Sequence, residues 1–235
     1  MKIHFISYGD DLYANSKKRI KEEAENFGMF DEICIYEPHK LTEEFKKTFS
    51  EILSLKRGGG YWIWKYDIIL QELAKMNQND ILVYLDSGCT IAKTGIKRFN
   101  EYIEMLTNSS HNSIGFEINL YERSWTTKEI FNSFDSKIDN SCQIMGGCQI
   151  YKKNDKLLEM FKEIIDVLKK DPYLITDKYN LTQLPCFIDN RHDQSISSIV
   201  RKKYGTILLP YWEIEVGRIQ PEMQKNYPFS ALRLK

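Results

Sequence analysis

Residues 81–89 read ILVYLDSGC, and the fold turns on how that stretch is read. Five apolar or aromatic residues in succession predict a short strand covered on both faces, as the strands of parallel sheets are. Aspartate is a poor strand residue, and an unpaired carboxylate is costly to bury. Asp86 therefore belongs where the strand leaves the core, at its carboxyl end, which is where open α/β sheets bind ligands. The plainer alternative is that Asp86 only caps the next turn.

Working outward, strands and helices alternate. IHFIS (3–7) and EICIY (32–36) predict strands, and the charged stretch 13–27 between them predicts an amphipathic helix ending before Gly28. Helical spacing recurs over 41–53. After the glycine hinge RGGGYW (57–62) it recurs over 62–76, where Trp62, Tyr66, Ile69, Leu73 and Met76 make one apolar stripe. Beyond the 81–85 strand come a helix over 94–106, a strand over 113–118 and an irregular, polar and aromatic stretch over 121–140 with a short helix at 127–134. A strand over 143–152 is broken by Gly146-Gly147. Two more helices span 154–168 and 192–203, separated by a loop at 171–190, with a last strand over 206–209. The alternation predicts an α/β fold, a mostly parallel sheet flanked by helices in one domain spanning 1–235, with 210–235 as a surface wrap.

Composition narrows the function. Lys plus Arg number 33 and Asp plus Glu 33, so there is no basic excess to neutralise a run of phosphates, and nucleic acid is not an expected partner. The chain has no apolar run long enough to span a bilayer, and MKIHFISYGDD at its start reads as a first strand rather than a leader. The five cysteines, at 34, 89, 142, 148 and 186, lack zinc-type spacing and read as reduced thiols, which with the preceding points gives cytoplasmic localisation as the expectation.

Four stretches carry the chemistry: RGGGYWIWK (57–65), YLDSGC (84–89), IMGGCQIYKKN (144–154) and RHDQSI (191–196). Together and in this order they resemble the GT-A type of nucleotide-sugar-dependent glycosyltransferase, whose viral and bacterial members carry similar GGGYW-x-WK, YLD-x-G and HDQS segments. The resemblance runs from about Ile3 to Leu209. It implies a single-domain, Rossmann-related GT-A-like fold. The implied activity is transfer of a sugar from a nucleoside diphosphate sugar to a hydroxyl acceptor, a glycan or glycoconjugate.

The resemblance also implies roles for individual residues. Asp86 matches the first acid of the family's Asp-x-Asp, which meets the donor ribose and a Mn²⁺ or Mg²⁺ ion; the second acid is replaced by Gly88, so either metal ligation rests on Asp86 and a group from elsewhere or no ion is used. Ser87 and Gly88 would line the donor site with it. Asp193 would be the general base for the acceptor hydroxyl or a second donor-site acid, and His192 a metal ligand or diphosphate partner; capping of a helix start by Asp193 or Asn190 is the plainer reading. Lys65 would direct a cation to the diphosphate or base, unless it is a solvated surface charge. Gly146 and Gly147 would make room under the donor sugar, though a simple bulge predicts the same break. Arg191 and Trp125 would face the acceptor, Trp125 as a stacking platform, unless 122–128 is an ordinary loop. Two other functions stay open: a nucleotide- or sugar-binding module without turnover, and a nucleotidyltransferase, the latter weakened by the acidic SYGDDLYAN after the first strand.

Overall fold

The structure, a computed structural model, describes residues 1–234. Seven strands form the main sheet: β1 (Ile3–Tyr8), β2 (Glu32–Tyr36), β3 (Ile81–Leu85), β5 (Ser113–Tyr121), β6 (Cys142–Ile144), β7 (Cys148–Lys152) and β8 (Ile207–Leu209). Two short strands, β4 (Thr90–Ile91) and β9 (Phe229–Ser230), pair antiparallel beside it. β1 is flanked by β2 and β3, both parallel to it. β7 runs antiparallel to both β3 and β5, β6 antiparallel to β5, and β8 parallel to β5. Five strands thus point one way and β6 and β7 the other, the mostly parallel sheet expected.

β6 and β7 are successive lengths of one strand along the same edge of β5, interrupted by Met145–Gly147. Tyr151 faces Ser113, Ile144 faces Glu117 and Cys142 faces Tyr121. Because Leu85 pairs with Cys148, the break begins where β3 ends.

The side chains of the sheet alternate between two cores. Ile6, Leu82, Tyr84 and Tyr151 face helices α2 (Trp64–Lys75), α4 (Asp155–Lys170) and α5 (Asp193–Tyr204). Phe5, Val83, Leu85, Phe116 and Ile150 face α1 (Ala14–Phe27) and α3 (Ile96–Thr107). Every residue of β3 is buried, as the unbroken apolar run requires. Burying a side chain of this size stabilises by about 1.5–3 kcal/mol, so the strand is a fixed base for the turn at its end.

Three expectations need correction. The helix expected over 41–53 is two pieces, Glu43–Thr48 and Ser50–Leu53, broken at Phe49. The helix expected from 62 starts at Trp64, because the residues before it turn the other way. The segment after Pro210 is more than a surface wrap: it contributes helix α6 (Trp212–Ile219) and β9, and buries Ile214 and Phe229 in the second core.

Candidate active site

A cleft of about 780 Å³ opens at the carboxyl ends of β1 and β3, the position at which open α/β sheets bind ligands. Its walls come from Tyr8 at the end of β1 with Gly9 and Asp10, from Trp62, Trp64 and Lys65 around the start of α2, and from Asp86–Cys89, Met145–Gly147, Arg191–Gln194 and Arg233.

Asp86 stands where β3 runs out. Its N–H makes the last ladder bond, to Gly147 O at 2.9 Å, and its Oδ1 accepts the Tyr84 hydroxyl at 2.5 Å. A Cβ on Gly147 would lie 2.6 Å from Asp86 Oδ2, so only glycine lets the broken strand pass this carboxylate. The Asp86 side chain keeps 42% of its surface exposed and faces the cleft. The turn after it is held from beneath: Arg19 donates to Ser87 O at 2.6 Å and to Cys89 O at 2.8 Å. Nothing in the local sequence points to that arginine.

Lys65, in the first turn of α2, is buried, and its three N–H donors are all engaged. They reach Asp193 Oδ2 at 2.5 Å, Gly146 O at 3.1 Å and Asp86 Oδ1 at 3.4 Å, with the Tyr84 ring 5.0 Å away. Burial works against its charge, but the two carboxylates outweigh burial and raise its pKa. Burial is also the main influence on Asp193, whose carboxyl is pushed up despite Lys65. The cation expected to contact a diphosphate is therefore the shared counter-ion of two acids, with no donor left for a ligand. Asp86 and Asp193, 107 positions apart, meet at one nitrogen.

His192 precedes α5 with φ of 57° and ψ of −121°, a backbone region costly for any residue with a side chain. The helix begins at Asp193, and the capping expected of Asn190 or Asp193 is absent: His192 occupies the cap position without a side-chain cap bond. Its Nε2 is bonded to Asp177 Oδ1 at 2.9 Å, and its ring packs against Tyr61 and Trp62, centroids 5.0 and 5.4 Å away. Burial lowers its pKa below 6.5, partly offset by Asp177. Asp177 also accepts from Arg57 Nη1 and the Tyr61 hydroxyl, each at 2.8 Å. Sequence reasoning places Asp177 in a loop and gives it no role; its partners lie 15, 116 and 120 positions away.

The glycine hinge is a turn of left-handed helix. Gly58, Gly59, Gly60, Tyr61 and Trp62 have φ of 58°, 58°, 96°, 52° and 61°, a conformation residues with a side chain adopt singly rather than in runs. A Cβ on Gly58 would meet the Trp62 ring at 2.5 Å and one on Gly60 the Leu53 backbone at 2.8 Å. The turn presents Trp62 to the cleft, while Trp64 stacks on Tyr8 at 3.7 Å.

Arg191 lines the cleft with its guanidinium 5.6 Å from the Trp125 ring centroid. Trp125 itself stands one layer back, outside the cleft lining, its carbonyl accepting from Ser195 Oγ at 2.6 Å. Gln194 ties the glycine break to α5, accepting from Gly146 N at 3.1 Å.

The donor set does not fit the divalent ion that the GT-A resemblance implies. A hard cation of this class takes about six oxygen ligands, several usually from carboxylates. Among the described residues no group of three His, Cys, Asp or Glu side chains is placed to hold one. Asp193 is bonded to Lys65 and His192 Nε2 to Asp177. The position of the missing acid, Gly88, is covered by backbone: its carbonyl accepts from Leu234 N at 3.0 Å.

No protein-family profile and no curated protein matches the sequence. Two solved structures share its architecture over nearly all of both chains. One is a glycosyltransferase involved in the glycosylation of the major capsid of PBCV-1. Its TM-score is 0.54 and its identity 16%, and the match covers 100% of this chain and 96% of that one. The other is mouse xyloside xylosyltransferase 1, TM-score 0.52 and identity 10%, covering 98% and 97%. At these identities the likeness establishes the GT-A-type fold. No helix among the described residues is long and apolar enough to cross a membrane.

Proposed function

We propose that this chain transfers a glycosyl group from a nucleoside diphosphate sugar to a hydroxyl acceptor on a glycan or glycoconjugate. The observation that carries the reading is the pairing of Asp86 and Asp193 around Lys65, at the floor of a strand-end cleft, in a fold shared with glycosyltransferases. A cleft of about 780 Å³ suits a ligand of nucleotide-sugar size. Tyr8, Asp10 and Tyr13 offer aromatic faces and an acid for a base and ribose at one end. Asp86 offers an acceptor, and the Gly146-Gly147 backbone offers space, for the sugar at the other.

In the reaction the acceptor oxygen bonds to the anomeric carbon. The bond from that carbon to the diphosphate oxygen breaks, its electron pair leaving with the phosphate, and the acceptor proton must go to a base. Asp86, the more exposed acid, accepts hydrogen bonds from the donor's hydroxyls and faces the positive charge that develops on the sugar ring. Asp193, whose carboxyl burial pushes up toward a useful basicity, takes the proton. Lys65 keeps the two acids from repelling one another. His192 and Trp62 shape the wall on the acceptor side, and Trp125 supports Arg191 from behind the cleft lining.

One observation favours a second reading, a binding module without turnover: the bond from Lys65 to Asp193 at 2.5 Å blunts that base. Donor hydrolysis and transfer assays on Asp86→Asn and Asp193→Asn, with calorimetric titration of the nucleotide sugar, separate the two. The first change should weaken donor binding and turnover together. The second should leave binding nearly intact and lower kcat by about 10²-fold or more. Saturable nucleotide-sugar binding with no turnover on any acceptor would establish the module instead.

A further inference from the structure

Gly88 stands where the family's second acid would be, and the structure shows what occupies that space. The segment after β9 passes directly over it. A Cβ on Gly88 would lie 3.2 Å from Arg233 Cα and 3.3 Å from Leu234 O. The segment is anchored on both sides. β9 pairs with β4, Leu234 N donates to Gly88 O at 3.0 Å, and Ser16 Oγ donates to Leu234 O at 3.3 Å. Arg233 has a φ of 58°, and its side chain is exposed and lines the cleft.

Arg191 lines the same cleft from the start of α5. Among the described residues neither arginine has a carboxylate within ion-pairing distance, although most other buried or half-buried charges of this site do. The two cations line one cleft, and after burial Arg233 is the largest influence depressing the Arg191 guanidinium, with Asp193 and Asp189 acting in the other direction. Two guanidiniums without an ion-pair partner among the described residues, held in one cleft by separate backbone anchors, repel each other less when an anion lies between them. Their planar, multi-donor heads match phosphate oxygens bidentately. Lys65, the other cation at the floor, has no donor to spare.

We propose that Arg191 and Arg233 together hold the diphosphate of the donor and receive its charge as the sugar leaves, taking the place of a divalent ion bound through a second acid. This rests on the reading of the cleft as a nucleoside diphosphate sugar site. Glycine at 88 is then the condition for the site: it admits the backbone that delivers Arg233.

The test is calorimetric titration of UDP, GDP, ADP and dTDP into the full chain, first in EDTA and then in Mn²⁺. Wild type, Arg233→Gln and Arg191→Gln are compared, with the corresponding monophosphates as controls. At least one diphosphate should bind in EDTA, with Mn²⁺ changing its Kd less than tenfold. Arg233→Gln should weaken that diphosphate by about tenfold or more and the monophosphate much less. Arg233 is exposed, so an unchanged melting temperature will show that the variant is folded; Arg191→Gln gives an independent second arm. Tightening by tenfold or more in Mn²⁺, or two glutamine variants that bind as wild type in EDTA, overturns the arginine pair and leaves the donor-site reading standing. Binding of none of the diphosphates in either condition overturns the donor-site reading, and the pair with it.

Discussion

Replacing Lys65 with methionine tests the centre of the site most directly. Methionine keeps most of the volume and the apolar stem while removing the ammonium. Asp193 would be left buried without its counter-ion, and Gly146 O would lose one of its donors. Breaking a buried pair from one side costs about 3–5 kcal/mol, against a total stability of about 5–15 kcal/mol for a domain. Lys65→Met should therefore fold but unfold at markedly lower urea concentration.

The deficit should depend on pH, and its sign is fixed by the upward shift at Asp193. A carboxyl whose folded pKa lies above its unfolded value binds its proton more tightly in the native state. Stability then falls as pH rises from the unfolded pKa toward the folded one. Without Lys65 that shift grows, and each unit of added shift is worth about 1.4 kcal/mol. The cost of Lys65→Met should be largest near pH 8 and shrink by about 1 kcal/mol or more at pH 5. Lys65→Met with Asp193→Asn removes both charges and should recover most of the loss. Urea melts of wild type, the two single variants and the double variant at both pH values close the cycle. If Lys65→Met costs less than about 1 kcal/mol at pH 8, or the same at both pH values, the ammonium is not what lets Asp193 be buried, and the account of the pair is wrong.

Two further perturbations address the neighbouring geometry. Gly147→Ala puts a methyl group 2.6 Å from Asp86 Oδ2; it should cost about 1–3 kcal/mol in a urea melt and, by displacing that carboxylate, lower donor turnover more than tenfold. Asp177→Asn removes the group that partly restores the His192 pKa, so the His192 ring protons should titrate at still lower pH by NMR. Because the folded imidazole already refuses a proton that the unfolded one accepts near 6.5, stability rises with pH in the window below that value, and the variant should steepen that rise.

The parts of this fold that are legible in the sequence are those whose cause is local. An unbroken apolar run specifies β3 and places Asp86 at its end. The helix expected from 154 is α4, which begins at Asp155 behind a cap that Asn154 supplies, its Oδ1 accepting from Leu157 N at 2.8 Å. The glycine pair at 146–147 marks a real break, and RHDQS a real helix start. The direction of the 58–62 turn is not legible. Glycine permits both hands of backbone equally, and only the packing of Trp62, Leu53 and Trp64 selects one. Sequence alone suggests a free ammonium at Lys65 because its partners lie 81 and 128 positions away. Asp177, Arg19 and Arg233 escape a sequence reading for the same reason: each acts through a partner distant in the chain, and no periodicity records such a contact.

Two of the costly backbone segments at the cleft are fastened to one side chain. Tyr61 belongs to the left-handed turn, and His192 has the positive φ before α5. Both bond to Asp177, which Arg57 also approaches from the residue before the turn. Such strain, of order 1–3 kcal/mol at each residue, persists only where the surroundings leave the chain no alternative. Hydrogen bonds to a charged group contribute about 1.5–3 kcal/mol each, so a carboxylate accepting from three donors can offset strain of that size at both places. The pull is mutual: loosening Asp177 frees the turn that presents Trp62 and the residue that precedes Asp193 at the same moment. The loop at 171–190, irregular by sequence, thereby becomes the brace that holds two walls of the cleft in register with the acids at its floor.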